Sequence, residues 1–204
     1  MNRLIVIGAS GHGKVVTDAA KQMGYKDIVF LDDDTSIIEC AGFPVVGTSG
    51  DLSSLEGDVF AAIGNGFIRQ EVMENNEDRT FPTIVHPSAV IADGTVLGAG
   101  SVVMAGAVIN PGTVIGKGVI VNTSCSIDHD CSIGDFAHIS VGSHIAGTVS
   151  IGKQTWIGAG AVVSNNITIC EGCMIGAGTV VINDINEKGR YVGIPARLLV
   201  KEKE

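Results

Sequence analysis

From Val85 to about Asn186 the aliphatic positions of this chain recur at every sixth residue. The column runs Val85, Ile91, Leu97, Val103, Ile109, Ile115, Val121, Ile127, Ile133, Ile139, Ile145, Ile151, Ile157, Val163, Ile169, Ile175, Val181. These seventeen positions follow one another without an insertion. A helix repeats every 3.6 residues and a strand every 2, so neither keeps such a column on one side. A hexad period predicts a β-helix, in which each short strand is one wall of a coil and three hexads close a coil of about 18 residues. Four positions after each aliphatic stand residues small enough for a narrow interior, among them Thr95, Ser101, Ala107, Thr113, Ala137, Ser143, Thr155, Ala161 and Thr179. The residue directly after the aliphatic is usually small or tolerant of left-handed backbone, as at Gly98, Asn110, Gly116, Asn122, Asp128, Gly134, Gly152, Gly158 and Gly176. Those positions are expected to form the corners with φ > 0.

The first 84 residues follow another pattern. Leu4-Ile5-Val6-Ile7 is an unbroken apolar run, as in a strand buried on both faces. Gly8-Ala9-Ser10-Gly11-His12-Gly13 follows, then a helix-spaced stretch from Lys14 to Met23 with a stop at Gly24. A second run, Ile28 to Leu31, ends in Asp32-Asp33-Asp34, and a third, Val59 to Ile63, ends in Gly64-Asn65, with a short helix over Phe67–Glu74 carrying Arg69. Strand, glycine-rich turn, helix, strand and acid make a Rossmann-like opening. The turn exposes backbone N–H groups to a ligand at a helix N-terminus, and the acid is placed to meet sugar hydroxyls. The glycine spacing departs from the strict dinucleotide fingerprint, and too few strands follow for a full dinucleotide fold. The alternative is a small α/β cap that only shields the end of the β-helix. The expected organisation is 1–84 Rossmann-like α/β domain, 85–186 β-helix and 187–204 C-terminal tail.

Charge sharpens this picture. The net charge of −9 argues against a nucleic-acid binder. The tail is the one basic segment, with Lys188, Arg190, Arg197, Lys201 and Lys203. No apolar run is long enough for membrane insertion, and no signal-peptide pattern opens the chain, so a cytoplasmic protein is expected. Cys125, Cys131 and Cys173 fall in the interior column as compact hydrophobes. Cys170 and Cys173 spell CxxC, but no second pair accompanies them, and the register sends Cys173 inward and Cys170 to a corner.

Chemistry in the repeat centres on His129, His138 and His144. His129 lies in a corner between Asp128 and Asp130, and an 18-residue coil stacks it near Gly147, which leaves space beside the imidazole. Asp130 is placed to orient the ring and favour its protonated form. Zinc is the competing use of three histidines, but prism edges are too far apart for them to converge within one chain, so no metal is expected.

The runs Gly8 to Gly13, Phe30 to Asp33, Ala62 to Asn65 and Asn122 to Gly134 together resemble the hexapeptide-repeat sugar acetyltransferases related to the sialic-acid O-acetyltransferase family. The best-matching branch acetylates the amine of nucleotide-linked 4-amino sugars of the bacillosamine and perosamine type. The resemblance implies a left-handed parallel β-helix, a homotrimer, and acetyl-CoA lying between adjacent β-helices. It implies His129 as general base and Asp130 as the carboxylate that raises its basicity. His138, with Asn122, Gly147, Ala159 and Ala177, is implied in acetyl-CoA binding. Ser10, Gly11, His12, Asp32, Asp33 and Gly64 match the nucleotide-sugar site, with Asn65 and Arg69 beside them. The expected reaction is direct N-acetylation of a nucleotide-linked amino sugar. The alternatives are a sugar O-acetyltransferase, a non-catalytic hexapeptide-repeat binding protein, and a zinc enzyme with interface histidines.

Overall fold

The structure, a computed structural model, describes residues 3–199. The N-terminal unit is a five-stranded sheet of β1 (Leu4–Ile7), β2 (Ile28–Leu31), β3 (Glu39–Cys40), β4 (Phe43–Gly47) and β5 (Asp58–Ala61) in the order β3-β4-β2-β1-β5. All pairings are parallel except the β3–β4 edge. The runs β1 and β2 are buried at every residue, as their unbroken apolar sequences predict. Helix α1 (Gly11–Gln22) follows the glycine turn and α2 (Gly66–Glu74) follows β5. Because β2 lies on one side of β1 and β5 on the other, the sheet has a switch point outside the C-terminal ends of β1 and β5, where open α/β sheets bind ligands.

Two-residue strands from Ile84 onward wind into a parallel β-solenoid with faces of eight, six and five strands. Each rung pairs with residues 18 further on, as in Val121 with Ile139 and Ile139 with Ile157. The aliphatic column points inward; Ile109, Ile127, Ile139, Ile157 and Val163 are wholly buried. Some of the small interior residues satisfy themselves on the next coil. Ser101 Oγ donates to Gly116 O at 2.8 Å, and Thr113 Oγ1 to Asp128 O at 2.7 Å. The narrow interior pairs these hydroxyls, whereas Thr95 Oγ1 and Thr179 Oγ1 are buried without a partner among the described residues.

The corners differ from expectation. Left-handed backbone falls on the third residue after the aliphatic, at Gly94, Gly100, Gly106, Gly112, Ser124, Asp130, Phe136, Gly142, Thr148 and their successors, not on the first. The glycines directly after the aliphatics answer to sterics instead. A Cβ at Gly134 would lie 2.6 Å from Lys153 N, and one at Gly158 2.6 Å from Ala177 N, so the coils could not stack. Two glycine columns with two physical causes stand side by side in the sequence.

The α/β unit does not cap the end of the solenoid. It lies against the upper part of the eight-stranded face, where outward-pointing Ile84, Val102 and Ile120 join Leu4, Val6, Val16, Phe30 and Phe60 in one buried cluster. Each such side chain contributes about 1.5–3 kcal/mol through its burial, so the two units share a core. The tail is extended and joins the solenoid. Arg190–Val192 adds a parallel strand to the eight-stranded face, and Arg197–Leu198 pairs back against it. Lys188 holds its ammonium 4.9 Å over the Phe67 ring. Lys201 and Lys203 lie outside the described residues.

Candidate active site

Three places carry the chemistry. The first is the edge between the six- and five-stranded faces, where His129 projects into solvent. Its Nδ1 lies 2.9 Å from Asp130 Oδ2, and its backbone N–H donates to Asp128 Oδ1 at 2.8 Å. Asp128 is itself held by the Asn110 amide at 2.8 Å. The Asp130 hydrogen bond, then the charge of Asp128, raise the His129 pKa above its ordinary value. With Nδ1–H on the carboxylate, Nε2 is left free as the basic atom. Gly147 sits on the next coil, and a Cβ there would lie 2.5 Å from His129 Nε2. Any side chain at residue 147 would therefore displace the ring.

The second is a largely apolar cleft on the eight-stranded face, where the α/β unit stops covering it. His138, Trp156 and Met174 stack along one column, and Asn122, Ser140, Gly158 and Gly176 along the next. Ala159 and Ala177 form an exposed ledge beside them. His138 is 7 % exposed and stacks on Trp156 with ring centroids 4.7 Å apart. Its Nε2 lies 3.2 Å from Asn122 Nδ2, while the indole N–H donates to Ser140 Oγ at 2.7 Å. Burial first, then the Arg69 guanidinium and His12, push the His138 pKa down to about 3. At that value the ring is neutral near pH 7.

The third is the crevice at the switch point, lined by Ile7, Gly8, Leu31, Asp32, Asp33, Ser49 and Ile63. Asp32 Oδ2 accepts from Ala9 N at 2.6 Å and Oδ1 from Asp34 N at 2.9 Å. Asp33 Oδ1 accepts from Ser49 N at 2.9 Å, which holds its carboxyl below the usual range. Both acids therefore shape the crevice through backbone contacts while keeping lone pairs for a hydroxylated ligand. Gly8 has φ of 106°, and a Cβ there would lie 2.9 Å from Ala62 O. Ser10 and Gly11 stand exposed at the N-terminus of α1. His12 lies between crevice and cleft, 6.3 Å from His138, with burial and then Arg69 lowering its pKa to about 4. Gly64 directly follows Ile63 of the crevice and comes near the cleft, since a Cβ there would lie 3.9 Å from Trp156 Cη2.

Arg69 and Asn65, expected beside the nucleotide-sugar site, both take part in the framework of the turn after β5. Arg69 is 0 % exposed, so it cannot touch a ligand. Its guanidinium donates to the carbonyls of Gly118, Ile63, Gly64, Phe136 and Ala137, tying the Gly64 turn to the strand that carries His138. Asn65 caps α2, its Oδ1 accepting from Phe67 N at 3.0 Å and from Ile68 N at 3.4 Å, while the residue stays exposed. His144 lies on another face, 2.9 Å from Ser126 Oγ, apart from His138 and His12. Among the described residues no group of three or more His, Cys, Asp or Glu side chains is placed to hold a metal ion. The Cys170 and Cys173 sulfurs lie 3.4 Å apart, closer than an assignment of one to the corner and one to the interior implies. Trp156, Ser140 and Met174 were missed by sequence reasoning. The signal that finds them is the 18-residue column His138–Trp156–Met174, three large side chains in succession where the five-stranded face carries Ser132, Ser150 and Thr168.

Residues 3–76 match the model of the PglD N-terminal domain, and residues 148–183 that of the bacterial transferase hexapeptide (six repeats). The acetyltransferase domain of PglB from Neisseria gonorrhoeae FA1090, in complex with acetyl coenzyme A, is 44% identical and superposes with a TM-score of 0.93, covering 97% of this chain and 98% of that one. PerB from Caulobacter crescentus, in complex with CoA and GDP-perosamine, is 33% identical with a TM-score of 0.91, covering 97% of each chain. WeeI from Acinetobacter baumannii AYE, at 24% identity and a TM-score of 0.61, shares the fold. On this identity and coverage, the chain belongs to the hexapeptide-repeat sugar acetyltransferases that carry a PglD N-terminal domain.

Proposed function

We propose that this protein transfers the acetyl group of acetyl-CoA to the amine of a nucleotide-linked amino sugar, by direct attack and as a homotrimer. The observation that carries the reading is the junction of crevice and cleft at Gly64, His12, His138 and Trp156. A ligand held through its nucleotide at the switch point would present its sugar there, and a thioester lying in the apolar cleft would end at the same place. The complexes of PglB with acetyl coenzyme A and of PerB with CoA and GDP-perosamine support both halves of the assignment.

The trimer follows from where the base lies. The coil visits the eight-, six- and five-stranded faces in turn, so the edge bearing His129 is opposite the face bearing the cleft. One chain cannot bring His129 to its own cleft. A neighbouring copy that presents its His129 edge to this cleft completes the site, and a cyclic arrangement closes after three. In the reaction the neutral amine attacks the thioester carbonyl while His129 Nε2 takes the proton it loses. Asp130 steadies the imidazolium through Nδ1–H. Collapse of the tetrahedral adduct breaks the C–S bond, and the departing CoA sulfur regains the proton from His129. Among the described residues no serine or cysteine is paired with the base, so no acyl-enzyme is invoked.

The deciding assay offers acetyl-CoA with UDP- and GDP-linked 4-amino sugars, and separately with sialic acid, and follows CoA release. Turnover confined to nucleotide-linked amino sugars is expected. Faster turnover of sialic acid than of every amino sugar would move the protein to O-acetylation.

A further inference from the structure

Resting on the reading above, we infer that Trp156 sets the length of the acyl group this enzyme accepts. The nucleophile arrives on a ligand held at the C-terminal ends of β1, β2 and β5. The thioester must therefore lie at the end of the cleft that borders the α/β unit, and the long CoA arm must leave past Met174, Gly176 and Ala177, where the cleft is open. The wall at the bordering end is the Trp156 indole.

That wall is held through one ring face and through its N–H. One face of the indole stacks on His138 at 4.7 Å and 27°, and His138 is itself buried and bonded to Asn122. The indole N–H is tied to the buried Ser140 hydroxyl at 2.7 Å. The far tip of the six-membered ring faces Gly64, where the backbone comes so close that even a methyl group would be in van der Waals contact. The next residue, Ile157, is wholly buried in the solenoid interior and pins the strand from behind. A longer acyl chain displaces the indole only by breaking the Ser140 bond or pressing the ring against His138. An acetyl group ends at the ring; each further methylene must occupy volume that the ring fills. Discrimination against a misfitting methylene is commonly about 10- to 200-fold, which suffices to make the enzyme acetyl-specific among short acyl-CoAs.

The experiment measures competitive binding of acetyl-, propionyl- and butyryl-CoA to the full-length protein, together with kcat/KM for each thioester with the best amino-sugar acceptor. Wild type should favour acetyl- over butyryl-CoA by about a hundredfold or more, and Trp156→Ala should cut that ratio to less than about tenfold. The butyryl-CoA value should rise in absolute terms, which loss of structure would not produce. Trp156→Leu repeats the measurement with less cavity, and Ser140→Ala, which frees the indole without removing it, should give an intermediate ratio. A wild type that binds the three thioesters equally, or folded variants with an unchanged ratio, would overturn the inference and leave the acetyltransferase reading standing. Failure of wild type to bind acetyl-CoA at all would overturn both.

Discussion

His129 and His138 are nine residues apart on one scaffold, and their surroundings give them opposite properties. His129 stands on a solvent-exposed edge with a carboxylate on its Nδ1, and its pKa is raised. His138 is buried between a tryptophan and a second histidine near an uncompensated guanidinium, and its pKa falls to about 3. A hexad repeat places both at regular positions, so the repeat itself does not distinguish them. What does is the neighbour 18 residues away and the docking of the α/β unit. The first gives His129 a glycine to stand over, and the second takes water away from His138. On the proposed mechanism, one histidine changes charge during the reaction and the other keeps it.

The comparison breaks most readily at the base. His129→Ala should lower kcat by about a hundredfold or more with the solenoid intact by circular dichroism, as expected for loss of a general base. Undiminished kcat would remove His129 from the mechanism. Gly147→Ala should approach that loss without touching the base, because the new Cβ would collide with Nε2. A fall of roughly tenfold or more in kcat, with little change in acetyl-CoA affinity, is the expected split.

Asp130→Asn probes the raised pKa. The base works only when neutral, so kcat/KM should fall on the acid side of the His129 pKa. Removing the carboxylate should lower kcat by about tenfold and move that acid limb to lower pH. A limb that stays in place would mean another group titrates.

The same two residues behave oppositely in stability. His129 has a raised folded pKa, so whatever it contributes is present below pH 6.5 and fades as pH rises through the folded value. His138 and His12 have folded values of about 3 and about 4 against 6.5 unfolded. Below pH 6.5 the unfolded chain takes up protons that the folded chain refuses, so stability falls between pH 6.5 and about 4. The loss near pH 5 is on the order of 1–2 kcal/mol per histidine. His138→Gln should flatten the fall in Tm over that window and raise the KM for acetyl-CoA by roughly tenfold. Equal acid sensitivity in wild type and variant would place the titrating group elsewhere.

How much of this was legible in the sequence follows the range of the interactions. The aliphatic column reported the solenoid interior directly, because inward position alone selects Ile, Val and Leu every sixth residue. The apolar runs at Leu4 and Ile28 and the acids after Leu31 likewise outlined the crevice. Corner placement was misread because glycines selected by coil stacking stand two positions from residues in left-handed backbone. Arg69 read as a surface cation on a short helix. Only the docking of α2 onto the solenoid shows that the carbonyls of Gly118, Phe136 and Ala137 enclose it. The strand at Arg190–Val192 was hidden because the hexad pattern lapses there while the pairing continues.

The central claim is that the base of one subunit serves the cleft of the next, and mixed trimers test it most directly. His129→Ala lacks the base and Ala177→Trp fills the cleft, so each homotrimer should be nearly inactive. Denatured together and refolded as an equal mixture, they should recover roughly a quarter of wild-type turnover, since random assembly pairs an intact edge with an intact cleft at about one interface in four. Activity no greater than the average of the two parents would place base and cleft in the same chain and contradict the account.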